Sequence, residues 1–139
     1  MTNPQGAQTW VQTGPLTFNR SLTGADRVYE QVSEVPGLTI HHPGFWEVSY
    51  HARTGLTAAG GVTTAVFKNG NLIDGSEAIR ASAEGQGTIG QRFMHTFVRG
   101  DIVTLHVYRF GGGGIYILSN TDGRTAVMAH WVRETWQSQ

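Results

Sequence analysis

The sequence predicts an all-β chain folded as an antiparallel sandwich, jelly roll or barrel. Short runs rich in Val, Ile, Thr, Tyr, Phe and Trp recur along its 139 residues, and 19 glycines interrupt them. No window places apolar residues at helical spacing between helix caps. About ten short strands, with turn residues roughly every 8–12 positions, are typical of antiparallel two-sheet folds.

The clearest strand follows the Pro43-Gly44 turn and alternates with a period of two. Side chains leave a strand on opposite sides, so the run has one apolar face and one mixed face. An acid, a hydroxyl and a histidine beside a Phe favour contact with another subunit over solvent. The apolar face carries Trp46, Val48, Tyr50 and Ala52, and the mixed face carries Phe45, Glu47, Ser49 and His51.

Turn residues place the other strands. Asn69-Gly70 lies between alternating runs and predicts a type I′ hairpin, because that turn needs positive φ at both central positions. The last strand is apolar on both faces, which favours cover on both sides. We expect residues 1–7 to be a loose arm and residues 8–139 to be one domain. The predicted strands are 8–12, 16–19, 27–32, 38–40, 45–52, 62–68, 71–74, 89–98, 102–110, 115–118 and 125–133.

Composition excludes several classes of function. Ten basic and ten acidic residues give a net charge of zero, and only 14% of residues are charged. Such a chain lacks the electrostatic footprint of a nucleic-acid or anionic-membrane binder, so we expect neither partner. No apolar run is long enough to insert in a membrane, and the N-terminus does not resemble a signal peptide. With no cysteine there is no disulfide or thiolate zinc site.

Four motifs follow one another in a characteristic order. Pro43-Gly44 leads into an aromatic strand, Asn69-Gly70 closes a hairpin, Gly100-Asp101 opens a Gly-Asp-Ile-Val-Thr-Leu strand, and residues 125–132 form an apolar closing strand. Together they resemble the globular head of complement component one, subcomponent q, in the tumour necrosis factor-like superfamily. The resemblance spans residues 8–134. The closing strand departs from the family's Phe-Ser-Gly-Phe pattern, and the sequence has no collagen-like repeat, so complement and cytokine roles are not carried over.

The resemblance implies a ten-stranded antiparallel jelly-roll sandwich that forms a compact homotrimer. Three strands of one sheet would then face the threefold axis. Histidines on that face could bind a divalent metal or titrate together, although burial beside a hydrogen-bonding partner is the commoner fate of such groups. No other cofactor is expected. The implied interface residues are Phe45, Glu47, Ser49, His51, His95, Met128 and His130, of which His51, His95 and His130 are the metal candidates.

Two further segments are considered as binding motifs. Arg99-Gly100-Asp101 spells the integrin-binding tripeptide, but a glycine and an aspartate there are explained by turn formation. The glycine run at residues 111–114 lacks a phosphate-loop ending and predicts a flexible loop, where binding function tends to lie. Aromatic and guanidinium groups suited to interfaces flank it, and these contact candidates are Tyr108, Arg109, Phe110 and Tyr116.

For function, we expect a non-enzymatic trimeric structural or binding module, because no nucleophile elbow and no His-Glu-x-x-His motif occurs. The most favoured setting is a bacteriophage virion surface, as a capsid decoration or a receptor-binding tip. Partners would be the chain itself and another virion protein, a host receptor or a glycan. One alternative is a secreted, extracellular bacterial carbohydrate-binding or adhesive module. The other is a metal-dependent enzyme on a jelly-roll scaffold, which convergence of His51, His95 and His106 inside one subunit would favour.

Overall fold

A computed structural model describes residues 9–121 and 123–134 of the chain. The predicted arm, residues 1–7, lies outside the described residues. The described part contains strands and no helix, which confirms the all-β prediction, and every strand pair is antiparallel. The described residues form twelve strands, against the eleven ranges predicted and the ten strands that the resemblance implies: β1 Trp10–Gln12, β2 Thr17–Ser21, β3 Glu30–Gln31, β4 Leu38–Thr39, β5 Gly44–Leu56, β6 Gly60–Lys68, β7 Asn71–Leu72, β8 Ala78–Ser82, β9 Gly85–Phe97, β10 Ile102–Gly111, β11 Ile115–Asn120 and β12 Ala126–Arg133.

The first sheet, sheet A, is built around β5. One edge of β5 pairs with β9 along its whole length. On its other edge, β12 pairs with residues 45–51 and β11 with residues 53–56, so these two strands follow one line. In the next position β1 pairs with β12 and β2 with β11. These four strands correspond to the predicted ranges 8–12, 16–19, 115–118 and 125–133.

The second sheet, sheet B, is built around β6 and β10, which pair from Val103–Lys68 to Gly111–Gly60. Strands β3 and β4 pair with the free edge of β10, and β7 and β8 with that of β6. Strand β8, which the sequence did not predict, has the sequence Ala-Ile-Arg-Ala-Ser and lies at the sheet edge. Because an edge strand has few neighbours to bury its side chains, it does not need the apolar alternation that reveals an inner strand.

The core lies between the two sheets. Trp46, Val48, Tyr50 and Ala52 all point into it and are at most 4% exposed, which confirms the predicted apolar face of β5. The Tyr50 hydroxyl donates to the carbonyl of Ser76 at 2.6 Å. Burial raises the pKa of Tyr50 to about 12, so the phenol stays protonated and can keep that bond.

Two predicted turns are confirmed. Asn69 and Gly70 have φ of 51° and 84°, as a type I′ hairpin requires. In the next turn the Asp101 carboxylate is buried and accepts from the Val98 amide at 2.9 Å and from the Asn69 side-chain amide at 2.8 Å. The carboxylate of the Arg-Gly-Asp tripeptide therefore stabilises the turn, which is the structural interpretation that the sequence favoured.

Candidate functional site

The outer face of β5 is the first candidate surface. Four of its side chains, Phe45, Glu47, Ser49 and His51, alternate with the buried core residues and point away from the core. The first three are half-buried and His51 is exposed. The predicted mixed face of this strand is therefore on the outside of the sandwich, as expected.

Strand register brings further residues onto the same surface. Met128 lies opposite Ser49 and His130 opposite Glu47, while Arg92 and Met94 flank the same two residues from β9. Trp10 pairs with His130 and is 46% exposed; Met94 is 41% exposed. Sequence reasoning did not single out Trp10, Arg92 or Met94, because only the register shows which residues of β1 and β9 join β5. This surface, face A, comprises Trp10, Phe45, Glu47, Ser49, His51, Arg92, Met94, Met128 and His130.

Polar groups on face A are mostly satisfied within the chain. Arg92 Nη2 donates to Glu47 Oε2 at 2.8 Å, and the His51 ring bonds to the carbonyl of Gly123. The rings of Trp10 and His130 lie 5.0 Å apart. A polar surface whose charges are already paired can be covered without leaving a buried charge unpaired. A small cavity of 170 Å³ opens on this face and is lined by Gln12, Thr13, Ser49, His51, Ala126, Val127 and Met128.

The predicted grouping of three histidines on one face is wrong for His95. It lies opposite Trp46, so it points to the core side of sheet A, with its ring 4.9 Å from that of Phe97. Burial and the nearby Lys68 lower its pKa. The sequence held the signal, because His95 has the same strand parity as Phe93 and Phe97. Among residues 9–121 and 123–134, no three His, Asp or Glu side chains gather as a metal site.

The convergence of three histidines that would have favoured the enzyme alternative is not present. A metal site of that kind needs its histidines inside one subunit. His51 lies on face A, His95 on the core side of the same sheet, and His106 on the outer face of sheet B, where it stacks on Phe67 at 3.8 Å. Three different faces cannot supply one metal ion.

The outer face of sheet B carries rings that pack on one another. Tyr29 makes edge contacts with Phe67 at 5.2 Å and Tyr108 at 4.8 Å, and its hydroxyl donates to Glu77. Arg27 lies over the Phe110 ring at 4.6 Å. This surface, face B, comprises Arg27, Tyr29, Phe67, His106, Tyr108 and Phe110. Two of the predicted loop contacts, Tyr108 and Phe110, thus belong to a ring cluster on a sheet.

The other two predicted loop contacts lie elsewhere. The Arg109 guanidinium donates to the carbonyls of Gly24 at 3.3 Å and Gly111 at 3.0 Å. The Tyr116 hydroxyl accepts from Gln86 Nε2 at 3.3 Å. The four candidates therefore do not form one site. Arg109 and Tyr116 do share an open cavity of 530 Å³ at one end of the sandwich, the terminal cavity, whose other lining residues are Ser21, Leu22, Thr23, Thr57, Gly113, Gly114 and Ile115.

Comparisons with known proteins identify the fold of the chain. No family model and no curated protein matches the chain. Among solved structures, Eiger TNF from S. frugiperda is similar with a TM-score of 0.63 and 10% identity, covering 94% of this chain and 96% of that chain. The chain therefore has a tumour necrosis factor-like jelly-roll fold, which confirms the resemblance at the level of fold. The described residues contain no helix that could span a membrane.

Proposed function

We propose that the chain is a non-enzymatic binding module that forms a homotrimer through face A. The observation that carries the proposal is the side of sheet A that faces away from the core. There Trp10, Phe45, Met94 and Met128 surround the Glu47–Arg92 ion pair on strands paired in continuous register. A broad sheet face with large apolar side chains and internally paired charges is suited to covering by another protein surface.

A second copy of the same chain is the occupant that fits this face best. The tumour necrosis factor-like fold supports the proposal, since the resemblance implies that this sheet faces a threefold axis. Low charge supports it as well, because only 14% of residues are charged and interface cores are poor in charged residues. His95 lies on the core side of β9 and is therefore not part of the proposed interface.

The biological setting that we propose is the surface of a bacteriophage virion, where the trimer decorates a capsid or forms a receptor-binding tip. Its partners would be another virion protein or a host-surface receptor or glycan. The neutral, cysteine-free composition supports this setting. The second candidate is a secreted carbohydrate-binding or adhesive module, which the open terminal cavity of 530 Å³ favours.

Light scattering on the purified chain tests the trimer. We expect three times the mass of one chain at neutral pH. Met128→Glu should release monomers, because the new carboxylate would enter the covered centre of face A without a partner. The matched control is Ile79→Glu on the outer side of sheet B, where the side chain is 66% exposed, and it should leave the trimer intact. A wild-type monomer at every concentration, or a trimer that keeps its mass in Met128→Glu, would overturn the proposal.

The same measurement with a chelator tests the metal prediction for His51 and His130. We expect the mass to stay unchanged, because the His51 ring already bonds to the Gly123 carbonyl. Loss of the trimer on adding chelator, restored by zinc, would show that a metal joins the subunits.

A further inference from the structure

Arg53 lies on the outer side of sheet A, beyond the limit of face A. Register places it on β5 between Thr88 of β9 and Leu118 of β11, and its side chain points to the same side as His51. Arg53 is half-buried, as are the neighbouring Leu118 and Tyr116. An apolar side chain and a ring therefore continue the surface of face A past Arg53, and a subunit that covers this side of β5 would cover the guanidinium as well.

Uncharged groups hold the Arg53 guanidinium. Its Nε donates to Gln86 Oε1 at 3.1 Å and its Nη1 to Thr88 Oγ1 at 3.3 Å. The Gln86 amide is fixed in turn, because its Nε2 donates to the Tyr116 hydroxyl at 3.3 Å. Among the described residues, none of the ion pairs includes Arg53, and no hydrogen bond uses its Nη2. A planar guanidinium held in this way keeps one edge free to bind an anion.

Sheet A offers this charge no carboxylate. Glu47 is the only acidic residue in its six strands as the structure describes them, and it already pairs with Arg92 at 2.8 Å. When the same surface of another copy covers Arg53, it therefore brings a further Arg53 and no free acid. A positive charge that loses its water without gaining a partner is costly. The proposed trimer thus requires a negative charge that its sheets do not supply.

We propose that the trimer binds a tetrahedral oxyanion, phosphate or sulfate, between its three Arg53 side chains. A threefold axis brings equivalent residues of the subunits to the same level, so the three guanidiniums face one another across it. A tetrahedral ion has a threefold axis of its own, and three of its oxygens can each accept from the Nη2 of one subunit. The site is incomplete in a single chain. This inference rests on the proposed trimer and adds a ligand to it.

Replacing chloride by sulfate or phosphate, at constant pH and ionic strength, tests the site on the full chain. We expect the concentration at which the trimer dissociates, measured by light scattering, to fall by at least about tenfold, because one charge-assisted hydrogen bond is worth about that factor. Calorimetric titration of the trimer with each ion should give about one ion per three chains. The ion that binds more tightly identifies the preferred ligand.

Three variants assign the response to Arg53. Arg53→Gln should remove it, so this variant should dissociate at the same concentration in sulfate as in chloride. Arg99→Gln, which removes a positive charge from the exposed turn after β9, is the matched control and should respond to sulfate as the wild type does. Glu84→Gln tests a carboxylate of the neighbouring subunit as the other source of negative charge, because Glu84 is exposed and directly precedes β9. It should leave the sulfate response unchanged.

An equal dissociation concentration in sulfate and chloride, or a sulfate response that persists in Arg53→Gln, would overturn the inference. An ion bound on every chain would also overturn it, as would an equal weakening of the trimer by Glu84→Gln and Arg53→Gln, because a neighbouring carboxylate would then pair with Arg53. These results remain distinct from failure of the proposed function. A trimer that dissociates alike in all three salts refutes only the anion site, whereas a wild-type monomer in all three refutes the assembly itself.

Discussion

The central strands of the two sheets differ in how many of their faces are covered. In β6, residues 61–66 are all buried, on both sides of the sheet. In β5, residues 44–50 alternate between buried and half-buried, so only the core side is fully covered. Both strands pair on both edges, so the difference is not one of hydrogen bonding. The difference in burial arises from what covers the outer side of each sheet.

The outer side of β6 is covered by the chain itself. Register places Thr63 and Ala65 beside Tyr108 and His106, and Tyr29 reaches across this row to bond with Glu77. The covered residues are small, and Thr63 and Ala65 are fully buried beneath the rings. Nothing comparable among the described residues crosses face A. One sheet is thus completed by its own loop, and the other keeps a face for a partner.

Removing the cover should produce the largest effect. Tyr29→Ala exposes the buried row beneath it and removes ring contacts with Phe67 and Tyr108. We expect the free energy of unfolding to fall by about 2–3 kcal/mol, toward the low end for a large side chain because Tyr29 is only half-buried. Urea denaturation of the isolated subunit measures it. Met94→Ala on face A is the comparison, and it should change the stability of the subunit by less than about 1 kcal/mol. Equal losses of unfolding free energy in the two variants would contradict the difference in cover between the two faces.

The close approach of Phe110 to β6 gives a second, smaller effect. A Cβ at Gly61 would lie 1.9 Å from the Phe110 ring, so only glycine fits beneath it. Gly61→Ala should push the ring outward and cost about 1–3 kcal/mol in urea unfolding. Gly112→Ala is the control, because a Cβ there meets nothing within 4 Å. A neutral Gly61→Ala would mean that the ring does not pack on the sheet.

The stacked histidine of face B makes stability depend on pH. Burial lowers the pKa of His106 from 6.5 to about 4. Above pH 6.5 the His106 ring is neutral in both the folded and the unfolded chain. Between pH 6.5 and about 4 the ring binds a proton in the unfolded chain but not in the folded chain, so the free energy of unfolding falls as the pH falls. His106→Phe keeps a ring on Phe67 and should flatten this fall. Some slope should remain from His95, whose pKa is also lowered. An unchanged slope between pH 4 and 6.5 would contradict the assignment.

The ion pair on face A should have the smallest effect. The Arg92 side chain is 73% exposed and that of Glu47 24% exposed. Exposed pairs contribute about 0.2–1 kcal/mol, so Arg92→Ala should shift the unfolding of the subunit by no more than that. Its effect on the trimer should be larger, because Glu47 would then be buried without its partner. Urea unfolding measures the effect of Arg92→Ala on the stability of the subunit, and the dissociation constant measures its effect on the trimer. An unchanged dissociation constant would contradict the burial of face A.

The sequence predicted the strand that organises sheet A because alternation is a local property. Trp46 and Val48 had to point one way and Glu47 and Ser49 the other, whatever the fold around them. The Asn69-Gly70 hairpin was equally local. Strand β8 escaped prediction because an exposed edge strand carries no apolar alternation. The candidate site was predicted only in part, since Met128 and His130 lie on face A but the flanking Trp10 and Met94 depend on register.

By itself, the sequence determined the all-β class, the inner side of β5 and the two turns, since each depends on neighbours in the chain. Only the tertiary structure decided that His95 lies opposite Trp46, because strand pairing brings together residues 49 positions apart in the chain. It alone placed Arg109 of sheet B and Tyr116 of sheet A in the lining of one cavity. Which side chains share a surface is set by long-range pairing, and local periodicity does not contain that information.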